Sequence, residues 1–139
     1  MRVVSEARAV PDLRFEWDGA EALLDGSPVA LRRLAQLLRA AQGSDIEVKL
    51  GRGSALLCQI TTGGPLRISV HDHTMEVSGS PDRLDILWTA LEGVADESDA
   101  VRRAPVRRHV HIEYLGAGDE VYRAADSVPL VIGADWPAD

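Results

Sequence analysis

Leu13, Phe15 and Trp17 alternate with Arg14 and Glu16, a period of two that predicts a strand with one buried face. Asp18-Gly19 follows, a pair that tolerates positive φ and so predicts a tight hairpin, with Ala20 to Asp25 as the returning strand. At Gly26-Ser27-Pro28 the period changes. Ser27 can accept hydrogen bonds from the first amides of a helix, and Pro28 lacks an amide that would be unpaired there in any case. Leu31, Leu34, Leu38 and Ala41 then fall on one helical stripe, with Arg32, Arg33, Gln36 and Arg39 largely outside it, and Gly43 as the stop. Ile46, Val48 and Leu50 predict a third strand and Gly51-Arg52-Gly53 its turn. Ala55 to Thr61, apolar without clear alternation, predicts a fourth and central strand.

The pattern then starts again. Leu66-Arg67-Ile68-Ser69-Val70 repeats Leu13 to Trp17 at an offset of 53, and Gly79-Ser80-Pro81-Asp82-Arg83-Leu84 repeats Gly26-Ser27-Pro28-Val29-Ala30-Leu31. His71-Asp72-His73 falls at the hairpin tip, and Leu84, Leu87, Trp88, Leu91 and Val94 make the stripe of a second helix whose last turn Gly93 weakens. After a stretch from 95 to 108 the offset becomes 64, where Val110, Ile112 and Tyr114 match Ile46, Val48 and Leu50, and Val121 and Tyr122 match Leu57 and Cys58. Leu130 to Ile132 reads as a short extra strand. The expectation is an α+β fold: a tandem β-β-α-β-β repeat forming a largely antiparallel sheet with two helices packed on one face. Residues 1–139 are read as a single domain, with repeat 1 at about 13–61, repeat 2 at about 66–132, and flexible tails at 1–12 and 133–139.

Charge and cysteine usage narrow the class. The formal charge of −7 and an isoelectric point near 5.0 repel phosphate backbones and anionic membranes, which argues against nucleic acid as a general partner. Cys58 is the only cysteine, so an internal disulfide is ruled out; its apolar surroundings suggest buried packing and a reducing cytoplasm. The first residues carry charges at 2, 6 and 8 with no long apolar run, and no segment approaches the ~18 apolar residues of a bilayer span, so neither a signal peptide nor a membrane helix is expected.

Candidate chemistry is sparse. His109 and His111 lie two apart on a predicted strand beside Glu113, a spacing that lets two imidazoles share a metal or a proton, and His71 and His73 form a second pair. No Cys-x-x-Cys or His-Glu-x-x-His accompanies them, and a solvated strand face with a polar turn explains them more simply. Arg102, Arg103, Arg107 and Arg108 put four positive charges in seven residues, suited to docking an acidic partner or to neutralisation by Asp96, Glu97 and Asp99. Cys58 and Ser54 have no histidine nearby in sequence, and Gly51 and Gly53 lack the following helix of a phosphate loop. The sequence thus predicts neither catalytic residues nor a cofactor. If both helices cover one side, Arg14, Glu16, Glu47, Lys49, Arg67, Ser69, His109, His111 and Glu113 project from the other, a mixed-charge face suited to protein recognition.

Gly79-Ser80-Pro81-x-x-Leu84, followed by His109-Val110-His111-Ile112-Glu113-Tyr114 and Ser127-Val128-Pro129-Leu130-Val131-Ile132, resembles the immunity protein 32 family of bacterial polymorphic toxin systems, over roughly residues 66–136. That resemblance implies a small cytoplasmic α+β protein that binds a cognate toxin without catalysis of its own. His109, His111, Glu113, Arg102, Arg103, Arg107 and Arg108 are then the candidate partner-binding residues. The alternatives are a self-associating module, a homodimer paired through sheet edges or faces, and a metal-dependent enzyme built on His109 and His111.

Overall fold

The computed structural model describes residues 8–41, 44–51, 53–100, 108–112, 128 and 130–134, with the backbone alone for 97–100 and 108–112. In chain order the elements are β1 (Ala9–Val10), β2 (Leu13–Trp17), β3 (Ala22–Gly26), α1 (Pro28–Ala40), β4 (Ile46–Leu50), β5 (Ala55–Thr61), β6 (Arg67–His71), β7 (Thr74–Gly79), α2 (Pro81–Ala100), β8 (Arg108–Ile112) and β9 (Leu130–Ala134).

Local chemistry sets the boundaries. Gly19 takes a φ of +94° at the β2–β3 turn, where the Asp18 carboxylate accepts from the amides of Ala20 and Glu21, both at 2.8 Å. Ser27 caps α1, its Oγ accepting from Ala30 N at 3.1 Å with Pro28 next in the chain. Ser80 opens α2 differently: its carbonyl accepts from Arg83 and Leu84, while its hydroxyl donates to Asp82 Oδ1 at 2.9 Å. Gly93 does not end α2, which continues to Ala100 on its buried stripe of Leu84, Leu87, Trp88, Leu91 and Val94, joined by Ala95. The start of the expected 95–108 loop is therefore helical, and Arg108 lies in a strand. Gly43, the expected stop of α1, lies outside the described residues; α1 closes at Ala41, whose amide bonds Leu38 O at 3.2 Å.

The α+β class with two helices is as expected, but the strands divide into two mixed sheets instead of one largely antiparallel sheet. The first is ordered β1-β4-β5-β7-β6 and the second β2-β3-β9-β8. Antiparallel pairings join β2–β3, β4–β5, β6–β7 and β8–β9, and parallel ones join β1–β4, β5–β7 and β3–β9. The antiparallel pairs are neighbours in the chain. The parallel pairs are set by tertiary packing, which alternation in the sequence does not encode.

Both sheets follow one plan. A hairpin, β6–β7 or β2–β3, contributes its inner strand to a parallel pairing with β5 or β9, and that strand pairs antiparallel with β4 or β8. Leu57 stands opposite Met75 and Val48; Leu130 stands opposite Ala22 and Ile112. In its sheet β9 therefore holds the place that β5 holds in the other. Leu130 to Ile132, expected as an extra strand, belongs to β9, while the strand expected around Val121 and Tyr122 lies outside the described residues. Each hairpin completes a strand pair supplied by the opposite half of the chain.

The helices pack against each other, and one contiguous core joins their stripes to Leu13 and Leu24, to Val48 and Leu57, to Ile68 and Val77, and to Leu130 and Ile132. Gln59, fully buried on β5, fastens this core. Its Nε2 donates to Leu38 O near the end of α1 at 2.9 Å, and its Oε1 accepts from Trp88 Nε1 on α2 at 2.7 Å. Arg39 closes the same junction from outside, donating at 2.7 Å to both Asp85 and Glu92 with its guanidinium 5.4 Å from the Trp88 ring centroid.

Candidate recognition surfaces

The residues expected on one polar face are distributed over two sheets. Arg14 and Glu16 lie on β2 of the second sheet, whereas Glu47, Lys49, Arg67 and Ser69 lie on β4 and β6 of the first. Among the described residues β8 is an outermost strand of the second sheet. His109 is in register with Gly133 and His111 with Val131. Continued across the sheet, one row runs Arg14, Asp25, Gly133, His109, and the next runs Glu16, Leu23, Val131, His111. The histidines read from the sequence thus share rows with charged residues of β2 and β3. Of the other candidates, Arg108 opens β8, and Arg102, Arg103, Arg107 and Glu113 lie outside the described residues.

Asp25 is 4% exposed, and the guanidinium of Arg14 meets it with two bonds, Nη2 at 3.0 Å and Nε at 3.3 Å. Burying a carboxylate is costly unless it is paired and hydrogen-bonded, and this two-pronged contact supplies both. Beside it, Glu16, Asp18, Glu21, Leu23 and Val131 line a shallow hollow of about 150 Å³. The amides of Glu21 and Ala20 hold the Asp18 carboxyl below its ordinary range, so this carboxylate stays ionised to lower pH than an unbonded one.

His71 ends β6 and His73 lies in the turn to β7, with Asp72 between them at a φ of +56°. Both are exposed at the tip, as the sequence predicts. Among the described residues no three His, Cys, Asp or Glu side chains are grouped to hold a metal. A second hollow, about 370 Å³, lies where β2 meets the β4–β5 turn, with Leu13, Phe15, Leu50 and Ala55 as apolar lining and Arg14 and His73 at its rim.

Cys58 departs from the expectation of buried packing. Gln59 faces the helices, so the alternation of β5 turns Cys58 to the opposite face, where it is half-buried and its thiol donates to Glu47 Oε2 at 3.6 Å. Burial first, then the carboxylates of Glu47 and Glu76, push the thiol from 9.0 up to about 11. The thiol is therefore protonated and slow to react at neutral pH. Its alkylation rate by iodoacetamide should rise with a midpoint near 11 in place of 9.0, and Glu47→Gln should move that midpoint down. Because the folded-state value is raised, the contribution to stability is complete below 9.0 and is lost as pH climbs toward about 11. A Cys58→Ser variant that melts with the same pH dependence as the parent would contradict this.

Residues 74–134 match the family model described as Immunity protein 32, the family that the sequence resembles. The matched segment runs from β7 through α2 and β8 to β9 and so contributes strands to both sheets. Neither the curated proteins nor the solved structures contain a match to the chain.

Proposed function

We propose, from that family match, that the protein neutralises a cognate toxin by binding it, with no catalysis of its own. The observation that carries the reading is the match over 74–134, the stretch that holds the histidine-bearing strand. The surface chemistry supports it. The described faces present mixed charge over half-buried apolar strands, suited to a protein partner, and the net charge of −7 favours a basic one. No described helix is long and apolar enough to cross a membrane.

In this reading the fold acts as one binding domain in the cytoplasm, and His109 and His111, on an outermost described strand of the second sheet, contribute contacts together with Glu113, Arg102, Arg103, Arg107 and Arg108. The test is co-expression with the product of the adjacent reading frame in a host which that product kills. Growth should be restored, and the two chains should elute together in size-exclusion chromatography. A toxic neighbour whose activity this protein leaves untouched would overturn the reading.

A further inference from the structure

β5 is the middle strand of the five-stranded sheet, and its two faces have different fates. Leu57 and Gln59 are fully buried on the helix side. Leu56, Cys58 and Ile60 alternate with them onto the other side, where each is half-buried and none is among the hydrophobic residues packed against the core. Both described helices lie on the opposite face, as the bonds from Gln59 to Leu38 and Trp88 require. An apolar column therefore runs down the centre of a sheet face that no described element covers.

Its flanks are polar. Leu56 stands between Lys49 and Thr74, Cys58 between Glu47 and Glu76, and Ile60 beside Ser78; one strand further out, Ser69 pairs with Glu76 and His71 with Thr74. An apolar centre with a polar rim is the usual anatomy of a protein-recognition patch. The charge is asymmetric at its middle, where two carboxylates bracket Cys58 and neither forms an ion pair among the described residues.

We propose that the outer face of the five-stranded sheet is a further docking surface for the toxin, beside the contacts assigned to the histidine-bearing strand, and that it takes a segment laying apolar side chains along Leu56 and Ile60 with an arginine or lysine set between Glu47 and Glu76. The cation's aliphatic stem lies over Cys58 while its head reaches both carboxylates, a division that long basic side chains adopt readily. This rests on the toxin-binding reading and adds to it the face and the chemistry of the partner.

The test uses the full chain and, as probe, the protein encoded by the adjacent reading frame, titrated by calorimetry at low and high salt. Glu47→Lys with Glu76→Lys should weaken binding by ~100-fold or more and flatten the salt dependence. Ile60→Asp should weaken it by ~10-fold or more, and Gln36→Lys on the exposed side of α1, away from both sheet faces discussed, should leave it within about threefold. In the unsubstituted protein the partner should slow alkylation of Cys58, a measurement that does not depend on any variant folding. Binding that survives the Glu47, Glu76 and Ile60 substitutions, with Cys58 as reactive as before, would overturn the proposed face and leave toxin binding intact. A homodimer disrupted by the same substitutions would assign the face to a second copy and overturn it as well. Loss of wild-type binding, together with an unneutralised toxin, would remove both readings.

Discussion

Gln59→Leu is expected to destabilise the protein by about 2–4 kcal/mol, even though the substitution keeps the size of the side chain and makes it more apolar. The reason is what it leaves behind. Trp88 Nε1, whose indole is 2% exposed, loses its acceptor at 2.7 Å, and Leu38 O loses a donor at 2.9 Å while keeping the amide of Ala41 at 3.2 Å. A buried donor without a partner costs ~1–3 kcal/mol, more than an ordinary hydrogen bond contributes. The damage is also structural, since Gln59 joins β5 to both helices at once. Urea unfolding should show a lower midpoint with an unchanged slope. Adding Trp88→Phe to Gln59→Leu should cost less than the sum of the two single changes, because the second substitution removes the stranded N–H. A Gln59→Leu protein as stable as the parent would mean that the amide bridge contributes nothing.

Gly26→Ala is the second large effect, at about 2–3 kcal/mol. A Cβ at Gly26 would sit 2.6 Å from Asp12 O and 2.7 Å from Leu13 Cδ2, and the first of these is backbone that cannot swing aside. Leu13 is the strand partner of Gly26, so the clash falls at the base of the β2–β3 hairpin. At the matching position of the other hairpin, a Cβ on Gly79 would meet Leu66 Cα at 3.2 Å and Pro65 O at 3.3 Å, and Gly79→Ala should be destabilising too. Gly63 has nothing within 4 Å, and Gly63→Ala, as the control, should stay within about 0.5 kcal/mol of the parent. Thermal melts of the three variants decide the matter; equal melting temperatures for Gly26→Ala and Gly63→Ala would refute the close-approach account.

These two residues also show where sequence reading succeeds and where it stops. The Gly-Ser-Pro frame announced both helix starts correctly because capping is local chemistry: Ser27 reaches an amide three residues away. The glycine in front of it could not be explained that way, since its role is contact with the start of the preceding strand. β5 was legible as central, but its unbroken apolar character did not say which of its residues faced away from the helices. Among the described elements only one face of β5 is covered, and Leu56, Cys58 and Ile60 on the other were consequently missed as surface. Gln59 was a readable signal, a polar residue in an apolar strand, but its partners lie 21 and 29 positions away. β1, two residues long, was missed for lack of any period to detect; it is held by backbone bonds to β4, from Lys49 N to Arg8 O and from Gly51 N to Val10 O. The parallel pairings escaped for the same reason as the split into two sheets: nothing in a residue's own neighbourhood specifies which distant strand it joins. The histidine strand was placed correctly in the chain, whereas its row-mates Asp25 and Arg14 emerged only from the register.

The pairing of β9 with β3 bears on how the protein is made. Ala22 to Gly26 wait for Leu130 to Ala134, so the second sheet closes only after more than a hundred intervening residues have been synthesised. Until then β3 keeps an unpaired edge beside apolar Leu24, and closing so long a loop is entropically slow. A nascent chain from which β9 has not yet emerged can form the β2–β3 hairpin and cap α1, yet it cannot finish the core that seats Leu130 and Ile132. If the proposed neutralisation depends on the folded molecule, it begins only once β9 has emerged and paired with β3, and its onset is set by folding as well as by expression.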